Sequence, residues 1–144
     1  PLSTEQRTKL TTLFPADGDY LADHLQGALP AIALTGQLAL STAFLNDVAG
    51  DMVFAQQVYG YAQPTDALLA ISTSGNSKNV LNALKVAKAL GVKTIGLTGQ
   101  HGGQMNKLCD VVVRVPAGEV YVIQEYHLPV YHTLCRMLEV EFFG

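Results

Sequence analysis

Three serines and a threonine are gathered in the segment Ile71-Ser-Thr-Ser-Gly-Asn-Ser77, after an apolar run and before a helical pattern. This order predicts a strand, a tight turn and the N-terminus of a helix. Unpaired N–H groups and the positive dipole end of such a helix favour an anion, and hydroxyls can donate to phosphate oxygens. Helix capping also uses such residues, but it needs only one or two of them. Ser72–Ser77 therefore predicts a phosphate-binding loop.

A second candidate site lies in the mostly apolar pattern Val120–Phe143, which carries a Gln, a Glu and two His among its first residues. Gln124 and His132 are about 80° apart on a helical wheel and two turns apart along it, so one ligand could contact both. Pro129, between them, predicts an interruption or a kink. Histidine beside glutamate suggests acid–base chemistry or a metal, whereas a histidine satisfied within the fold is the simpler interpretation.

The remaining polar groups have less specific patterns. Asn46 and Asp47 end a helical pattern, where a cap and a solvated acid explain them. For the glycine-rich segment Thr98–Gly103, turn chemistry and anion binding are equally supported. His24 and His101 are isolated, and a core or surface histidine is the favoured interpretation of each.

The elements that must position these residues alternate between strands and helices. Apolar runs predict strands at Ala31–Thr35, Ala67–Thr73, Lys93–Thr98 and Asp110–Val115. Helical patterns cover Thr4–Phe14, Asp19–Gln26, Leu38–Val48, Met52–Tyr59 with Asp51 as its N-cap, Asn76–Leu90, Gln104–Leu108 and Val120–Phe143. Continuous apolar strands between helices are typical of a parallel sheet covered on both faces, with ligands at the carboxyl ends of its strands. The predicted fold is α/β, a three-layer sandwich with a doubly wound, mainly parallel sheet.

The composition excludes several classes of function. The chain has 144 residues, 49% hydrophobic and 15% charged, with a net charge of −3. These values predict a globular domain without the basic face that nucleic-acid binding requires. No apolar run approaches the ~18 residues of a membrane span, and no signal peptide is visible. Cys109 and Cys135 lie in apolar stretches and are expected to be buried free thiols, as in a cytoplasmic protein.

With these motifs in place, the chain resembles the sugar isomerase (SIS) domain family, and within it the phosphoheptose isomerases. The resemblance runs from about residue 29 to the C-terminus. It rests on Ile71–Ser77, Leu97-Thr-Gly, Gly102-Gly103 and Ile123–His132, which follow one another in the family's order. The loop motif by itself indicates only the superfamily, and the C-terminal helix motif narrows it to the isomerases.

The resemblance implies a role for each candidate position. The corresponding positions are Ser72, Thr73, Ser74 and Ser77 for phosphate, Asn46 and Asp47 for the sugar, Gln124 for substrate and metal, and His132 for metal and catalysis. The metal of the family is divalent, typically zinc. The implied reaction is aldose–ketose isomerisation of a phosphorylated sugar, with sedoheptulose 7-phosphate as the expected substrate and His132 in proton transfer.

One part of the family's pattern is missing from this sequence. Family members begin with a helical segment and a strand, followed by a Gly-Asn-Gly-Gly-Ser loop and a helix whose His and Glu complete the metal site. Residues 1–28 resemble the helical insert after that helix, and residues 29–144 the sheet core with its long C-terminal helix, together one SIS domain. The chain is therefore expected to lack about a third of the family's domain, to bind phosphate weakly and to be inactive by itself.

Assembly and function leave alternatives open. The family implies homotetramers, for which the apolar segment Val130–Phe143 is a candidate interface or simply core. A non-catalytic phosphosugar-binding module, a sensor or a scaffold, is the alternative function. Retention of Gln124 and His132 favours the enzyme. An isomerase half of an amidotransferase would carry two SIS repeats, and this sequence shows at most one.

Overall fold

The computed structural model describes residues 2–144. Within that range seven α-helices and three β-strands are present. The helices are α1 (Thr4–Leu13), α2 (Gly18–His24), α3 (Leu38–Asp47), α4 (Val53–Tyr61), α5 (Lys78–Ala89), α6 (Met105–Leu108) and α7 (Val120–Phe143). The strands are β1 (Ala67–Ile71), β2 (Lys93–Thr98) and β3 (Val111–Arg114), and short 3₁₀ turns occupy Leu34–Gly36 and Gly50–Met52. None of these helices, over residues 2–144, is long and apolar enough to cross a bilayer.

The chain forms two compact units, of which the first comprises the residues up to Ile32 together with Val140–Gly144. In this unit α1 begins with a capping box, in which Gln6 N–H donates to Ser3 Oγ at 3.2 Å and Ser3 N–H donates to Gln6 Oε1 at 2.9 Å. Arg7 of α1 pairs with Asp23 of α2. This unit contains no predicted site residue, and the predicted boundary at residue 28 stays a prediction.

A parallel three-stranded sheet in the order β1-β2-β3 forms the centre of the second unit, Ala33–Glu139. Leu69 of β1 pairs with Ile95 of β2, which pairs with Val111 of β3. The α/β class and the parallel sheet are thus confirmed. Because the strands are parallel and in register, the loops that follow β1 and β2 leave the sheet at the same edge.

One face of the sheet is covered by α5 and α6. Ala70 of β1 packs there with Leu81 and Leu84 of α5 and with Met105 of α6 in one buried cluster. On the opposite face Leu69, Ile71 and Val111 are exposed. Because α5 and α6 both pack on the first face, no helix of the described chain covers the second face at these three positions, although the sequence predicts helices on both faces.

Two local predictions are wrong. The segment Ala31–Thr35 is no strand: it leads into the 3₁₀ turn Leu34–Gly36, and the sheet within the described residues offers it no neighbour with which to pair. Asp51 does not cap α4, because it lies inside the 3₁₀ turn Gly50–Met52 and Met52 is the residue preceding the helix.

The C-terminal helix also differs from expectation. Helix α7 runs without interruption through Pro129, since a proline costs one hydrogen bond and the turns on either side retain theirs. Cys109 and Cys135 are both free, as expected, but Cys135 is exposed and Cys109 is only partly buried. Only Ile123 and His127 of α7 are buried within the described chain, which explains why a thiol on its outer part is accessible.

Candidate phosphate-binding site

The segment between β1 and α5 folds into a tight turn with a fixed backbone. Ser72 N–H donates to the Leu97 carbonyl oxygen at 3.1 Å, and Gly75 N–H donates to the Ser72 carbonyl oxygen at 3.0 Å. Gly75 has a φ of +66°, the left-handed region that glycine adopts at little cost. The strand, turn and helix predicted from the sequence are therefore present.

The loop after β2 packs tightly on this turn. Met105 N–H donates to the Gly75 carbonyl oxygen at 3.2 Å, and Gln104 N–H donates to Asn76 Oδ1 at 3.0 Å. A Cβ atom at Gly75 would lie 2.1 Å from the Gly102 carbonyl oxygen, and one at Gly103 would lie 2.5 Å from the Ser74 carbonyl oxygen. The glycines of Thr98–Gly103 thus allow the two loops to approach each other, which supports the turn-chemistry interpretation of that segment.

The hydroxyl residues of the turn are brought together at the N-terminus of α5. Ser72 is buried, and its Oγ lies 2.9 Å from Ser77 Oγ in a hydrogen bond. Thr73 is half-buried, whereas Ser74 and Ser77 are exposed. Ser77 directly precedes α5 and makes no side-chain cap. Val80 N–H donates to Asn79 Oδ1 at 2.9 Å, whereas the N–H groups of Lys78 and Asn79 precede the first intrahelical backbone bond. The turn can therefore offer backbone and hydroxyl donors to an anion.

A charge pair, which the sequence pattern did not reveal, lies beside this turn. Lys78, the first residue of α5, places its Nζ 2.7 Å from Asp51 Oδ2. The hydrogen bond from Lys78 holds the pKa of the Asp51 carboxyl below its usual value, and the same bond raises the pKa of Lys78. Both groups are therefore charged at neutral pH. The local sequence indicates only a helix cap at Asp51, because Lys78 is remote along the chain.

Asn46 and Asp47 are the last two residues of α3 and are both exposed. Helix α3 buries none of its residues. No hydrogen bond within residues 2–144 joins this pair to the Ser72–Ser77 turn, and the 3₁₀ turn Gly50–Met52 packs on both α3 and α5. Their assignment to the sugar stays a prediction.

The first turns of α7 reach the same end of the sheet. A Cβ atom at Gly99 would lie 2.5 Å from Ile123 Cδ1 and 3.0 Å from the Thr73 carbonyl oxygen. Ile123 thus contacts the loop that follows β2, and Gln124 is the next residue of the helix. His127 is only 3% exposed and its Nε2 has no hydrogen-bond partner within the described residues.

Gln124 and His132 are both exposed on α7. Across residues 2–144, no three His, Cys, Asp or Glu side chains are clustered so as to hold a metal ion. Zinc in proteins takes three or four protein ligands. Gln124 and His132 therefore do not make a zinc site by themselves, and the metal assignment stays a prediction.

The sequence is similar to a known protein family and to curated relatives. The family model described as "SIS domain" matches residues 20–99. A phosphoheptose isomerase of Aliarcobacter butzleri is 48% identical over 133 residues, which cover 88% of this chain and 70% of that protein. A phosphoheptose isomerase of Rhodospirillum rubrum is 44% identical over 131 residues, which cover 86% of this chain and 70% of that protein.

Solved structures give the same result. The structure of a phosphoheptose isomerase from Francisella tularensis matches with a TM-score of 0.74 and 41% identity, over 77% of this chain and 60% of that one. A phosphoheptose isomerase from Neisseria gonorrhoeae matches with a TM-score of 0.75 and 38% identity, over 85% of this chain and 69% of that one. The chain thus spans roughly two thirds of the proteins that it resembles.

Proposed function

The chain belongs to the SIS domain family, among its phosphoheptose isomerases, and we propose that the protein it forms part of converts sedoheptulose 7-phosphate into a heptose 7-phosphate. The reaction exchanges a ketose for an aldose. The observation that carries the proposal is the Ser72–Ser77 turn at the N-terminus of α5 in a chain 48% identical to a phosphoheptose isomerase. The relatives' names favour the enzyme over the non-catalytic phosphosugar-binding module.

In this proposal the turn acts as the anchor of the substrate. The phosphate accepts hydrogen bonds from the first N–H groups of α5 and from the hydroxyls of Ser72, Thr73, Ser74 and Ser77. Because the phosphate is remote from the reacting carbons, its binding energy is available to hold the sugar in a reactive orientation. Asn46 and Asp47 then contact the hydroxyls of the sugar.

The chemical step is a proton transfer between two adjacent carbons. A base removes a proton from C1 of the ketose while the C2 carbonyl oxygen gains a proton, which gives an enediol. The proton is then delivered to C2 while the C1 hydroxyl loses its proton and becomes the aldehyde, so atoms and charge balance. We assign one side of this transfer to His132, since imidazole accepts and donates protons near neutral pH. Gln124, two turns earlier on α7, contacts the substrate.

The metal, the assembly and the compartment belong to the proposal as well. Gln124 and His132 would be two donors of a divalent metal site, for which zinc is the expected ion, and a complete site would require ligands from outside the described residues. Because Met137, Leu138, Phe142 and Phe143 of α7 are all exposed, we propose that this helix helps form a homotetramer. Two free cysteines support a cytoplasmic location.

The proposal is tested by assaying the full-length protein with sedoheptulose 7-phosphate. We expect conversion by the wild type and a loss of at least about a hundredfold in kcat for His132→Ala, the usual contribution of a general base. His24→Ala is the matched control, because His24 lies in the first unit and its ring nitrogen bonds only the Tyr20 carbonyl oxygen within the described chain. Sedoheptulose 7-phosphate binding without any conversion would instead support the non-catalytic module.

A further inference from the structure

The two predicted substrate-binding regions of the second unit are joined by the turn Gly50–Met52. The Ser72–Ser77 turn is held by β1 and α5, which share a buried cluster, and by the hydrogen bond from Ser72 N–H to the Leu97 carbonyl oxygen of β2. Asn46 and Asp47, in contrast, end a helix without any buried residue. Helix α3 contacts α4, but because it buries no residue this contact fixes the pair only weakly. The 3₁₀ turn that follows the pair is a second attachment of α3 to the rest of the unit.

Asp51 ties that 3₁₀ turn to the beginning of α5. Its Oδ2 lies 2.7 Å from Lys78 Nζ. One helical turn later, Asn82 Nδ2 donates to the Asp51 carbonyl oxygen at 3.1 Å and to its Oδ2 at 3.4 Å. Both the main chain and the side chain of Asp51 are thus fixed on α5, next to Ser77.

The other side of the 3₁₀ turn is fixed on α3. A Cβ atom at Gly50 would lie 2.7 Å from Leu45 Cδ2, so the backbone there packs directly against the residue that precedes Asn46. Val48 N–H donates to the Phe44 carbonyl oxygen at 3.2 Å, and Met52 N–H donates to the Ala49 carbonyl oxygen at 3.1 Å. The contacts Lys78–Asp51 and Gly50–Leu45 therefore link the residue after Ser77 to the residue before Asn46.

We propose that Asp51, Lys78 and Asn82 are positioning residues, which hold Asn46 and Asp47 at the distance from the phosphate-binding turn that a sugar phosphate requires. This inference rests on the proposed function. It predicts different effects on two ligands, because these contacts fix the position of Asn46 and Asp47 but do not hold the phosphate-binding turn. Loss of the contacts should weaken binding of a whole sugar phosphate and leave inorganic phosphate largely unaffected.

Lys78 could also affect binding in a second way, by attracting the phosphate directly, and the experiment must distinguish this from a positioning role. Its side chain is 80% exposed, and a cation at the start of α5 could attract phosphate directly. In that case both ligands would lose affinity when Lys78 is neutralised. The 2.7 Å bond to Asp51 favours the positioning role, since a lysine that already holds a carboxylate is directed away from other anions.

The test compares two ligands on the full-length protein by calorimetry. For Asp51→Asn and Lys78→Met we expect sedoheptulose 7-phosphate affinity to fall roughly fivefold or more, as misplaced binding groups commonly cause, while inorganic phosphate affinity stays within about twofold of the wild type. Asp51→Glu, which keeps the charge, should recover part of the loss. Lys85→Met, a change at another exposed lysine of α5, is the control for removing a positive charge.

The outcomes separate this inference from the function on which it rests. Equal losses on both ligands for Lys78→Met would assign Lys78 to direct phosphate attraction and overturn the positioning role. Unchanged binding of both ligands in both variants would overturn it too. A wild type that binds neither ligand would refute the proposed function itself. Circular dichroism of each variant shows that the loss is not one of folding.

Discussion

Ser72 Oγ and Ser77 Oγ are hydrogen-bonded at 2.9 Å across the turn that opens α5. The two residues differ in environment, since Ser72 is buried and Ser77 is exposed. A buried hydroxyl with a fixed partner orients that partner at little further entropic cost. The Ser77 hydroxyl is therefore already oriented in the absence of a ligand.

This relationship predicts the effect of removing each hydroxyl. We expect Ser77→Ala to weaken phosphate binding about tenfold, the equivalent of one hydrogen bond to a charged group. Ser72→Ala should also weaken phosphate binding. The double variant should lose less binding free energy than the two single variants added together, because hydrogen-bonded residues act as a unit. Calorimetric titration with phosphate measures all three. Thr65→Ala, in the turn before β1, is the control, and additive losses would contradict the coupling.

The close contact of the two loops predicts that position 75 accepts only glycine. Gly75→Ala would place a Cβ atom 2.1 Å from the Gly102 carbonyl oxygen in a backbone with a φ of +66°. We expect it to reduce the free energy of unfolding by about 3 kcal/mol, through left-handed strain and loop displacement. Urea denaturation measures this change, and phosphate affinity should fall with it.

Gly60→Ala is the matched control for that substitution. Nothing lies within 4 Å of a Cβ atom at Gly60, which is inside α4. Alanine is the better helix former, so this variant should gain up to about 0.5 kcal/mol. A comparable loss at both positions would show that the clash at Gly75 is not the cause.

The cysteines should differ in reactivity. Burial, and then the charge of Asp110, raise the pKa of the Cys109 thiol, whereas Cys135 is exposed. Because the thiolate is the nucleophile, we expect a disulfide reagent at neutral pH to modify Cys135 at least about tenfold faster than Cys109 in the monomeric chain. Cys135→Ser should remove the fast phase, and unfolding should make the remaining thiol fast. A single fast phase in Cys135→Ser would contradict the protection of Cys109.

The sequence predicted those features that depend on neighbouring residues. The strand Lys93–Thr98 and the Ser72–Ser77 turn were recognised because each is a local pattern of side chains along the chain. Ala31–Thr35 has an equally apolar pattern but no strand beside it among the described residues, and a strand requires a partner. Pattern alone does not distinguish these cases.

Contacts between distant segments were not predictable in the same way. Asp51 and Lys78 are separated by α4 and β1, and nothing in either local sequence indicates that they meet. Likewise, the exposure of Leu69 and Ile71 depends on which helices pack on each face of the sheet. The apolar pattern of β1 is the same whether one face or both are covered.

Asp110 provides a last prediction, on the pH dependence of stability. Its Oδ2 accepts hydrogen bonds from Thr94 N–H at 2.8 Å and from Thr94 Oγ1 at 3.0 Å. These bonds, the backbone bond first, hold the pKa of the carboxyl below its ordinary value of 3.8, with smaller contributions from the charges of Lys93 and Lys88. A lowered pKa means that the folded protein favours the ionised form. The contribution to stability is therefore complete above the ordinary value and is lost as the pH falls through the lowered one.

Asp110→Asn should accordingly reduce the free energy of unfolding most at neutral pH. The difference from the wild type should shrink as the pH falls below about 4, where the unfolded carboxyl becomes protonated. Urea denaturation between pH 7 and the most acidic pH at which the protein stays folded measures this convergence. Glu141→Gln, at an exposed acid in the last turn of α7, is the control for the loss of one negative charge. A difference that is constant with pH would mean that Asp110 acts through its shape rather than its charge.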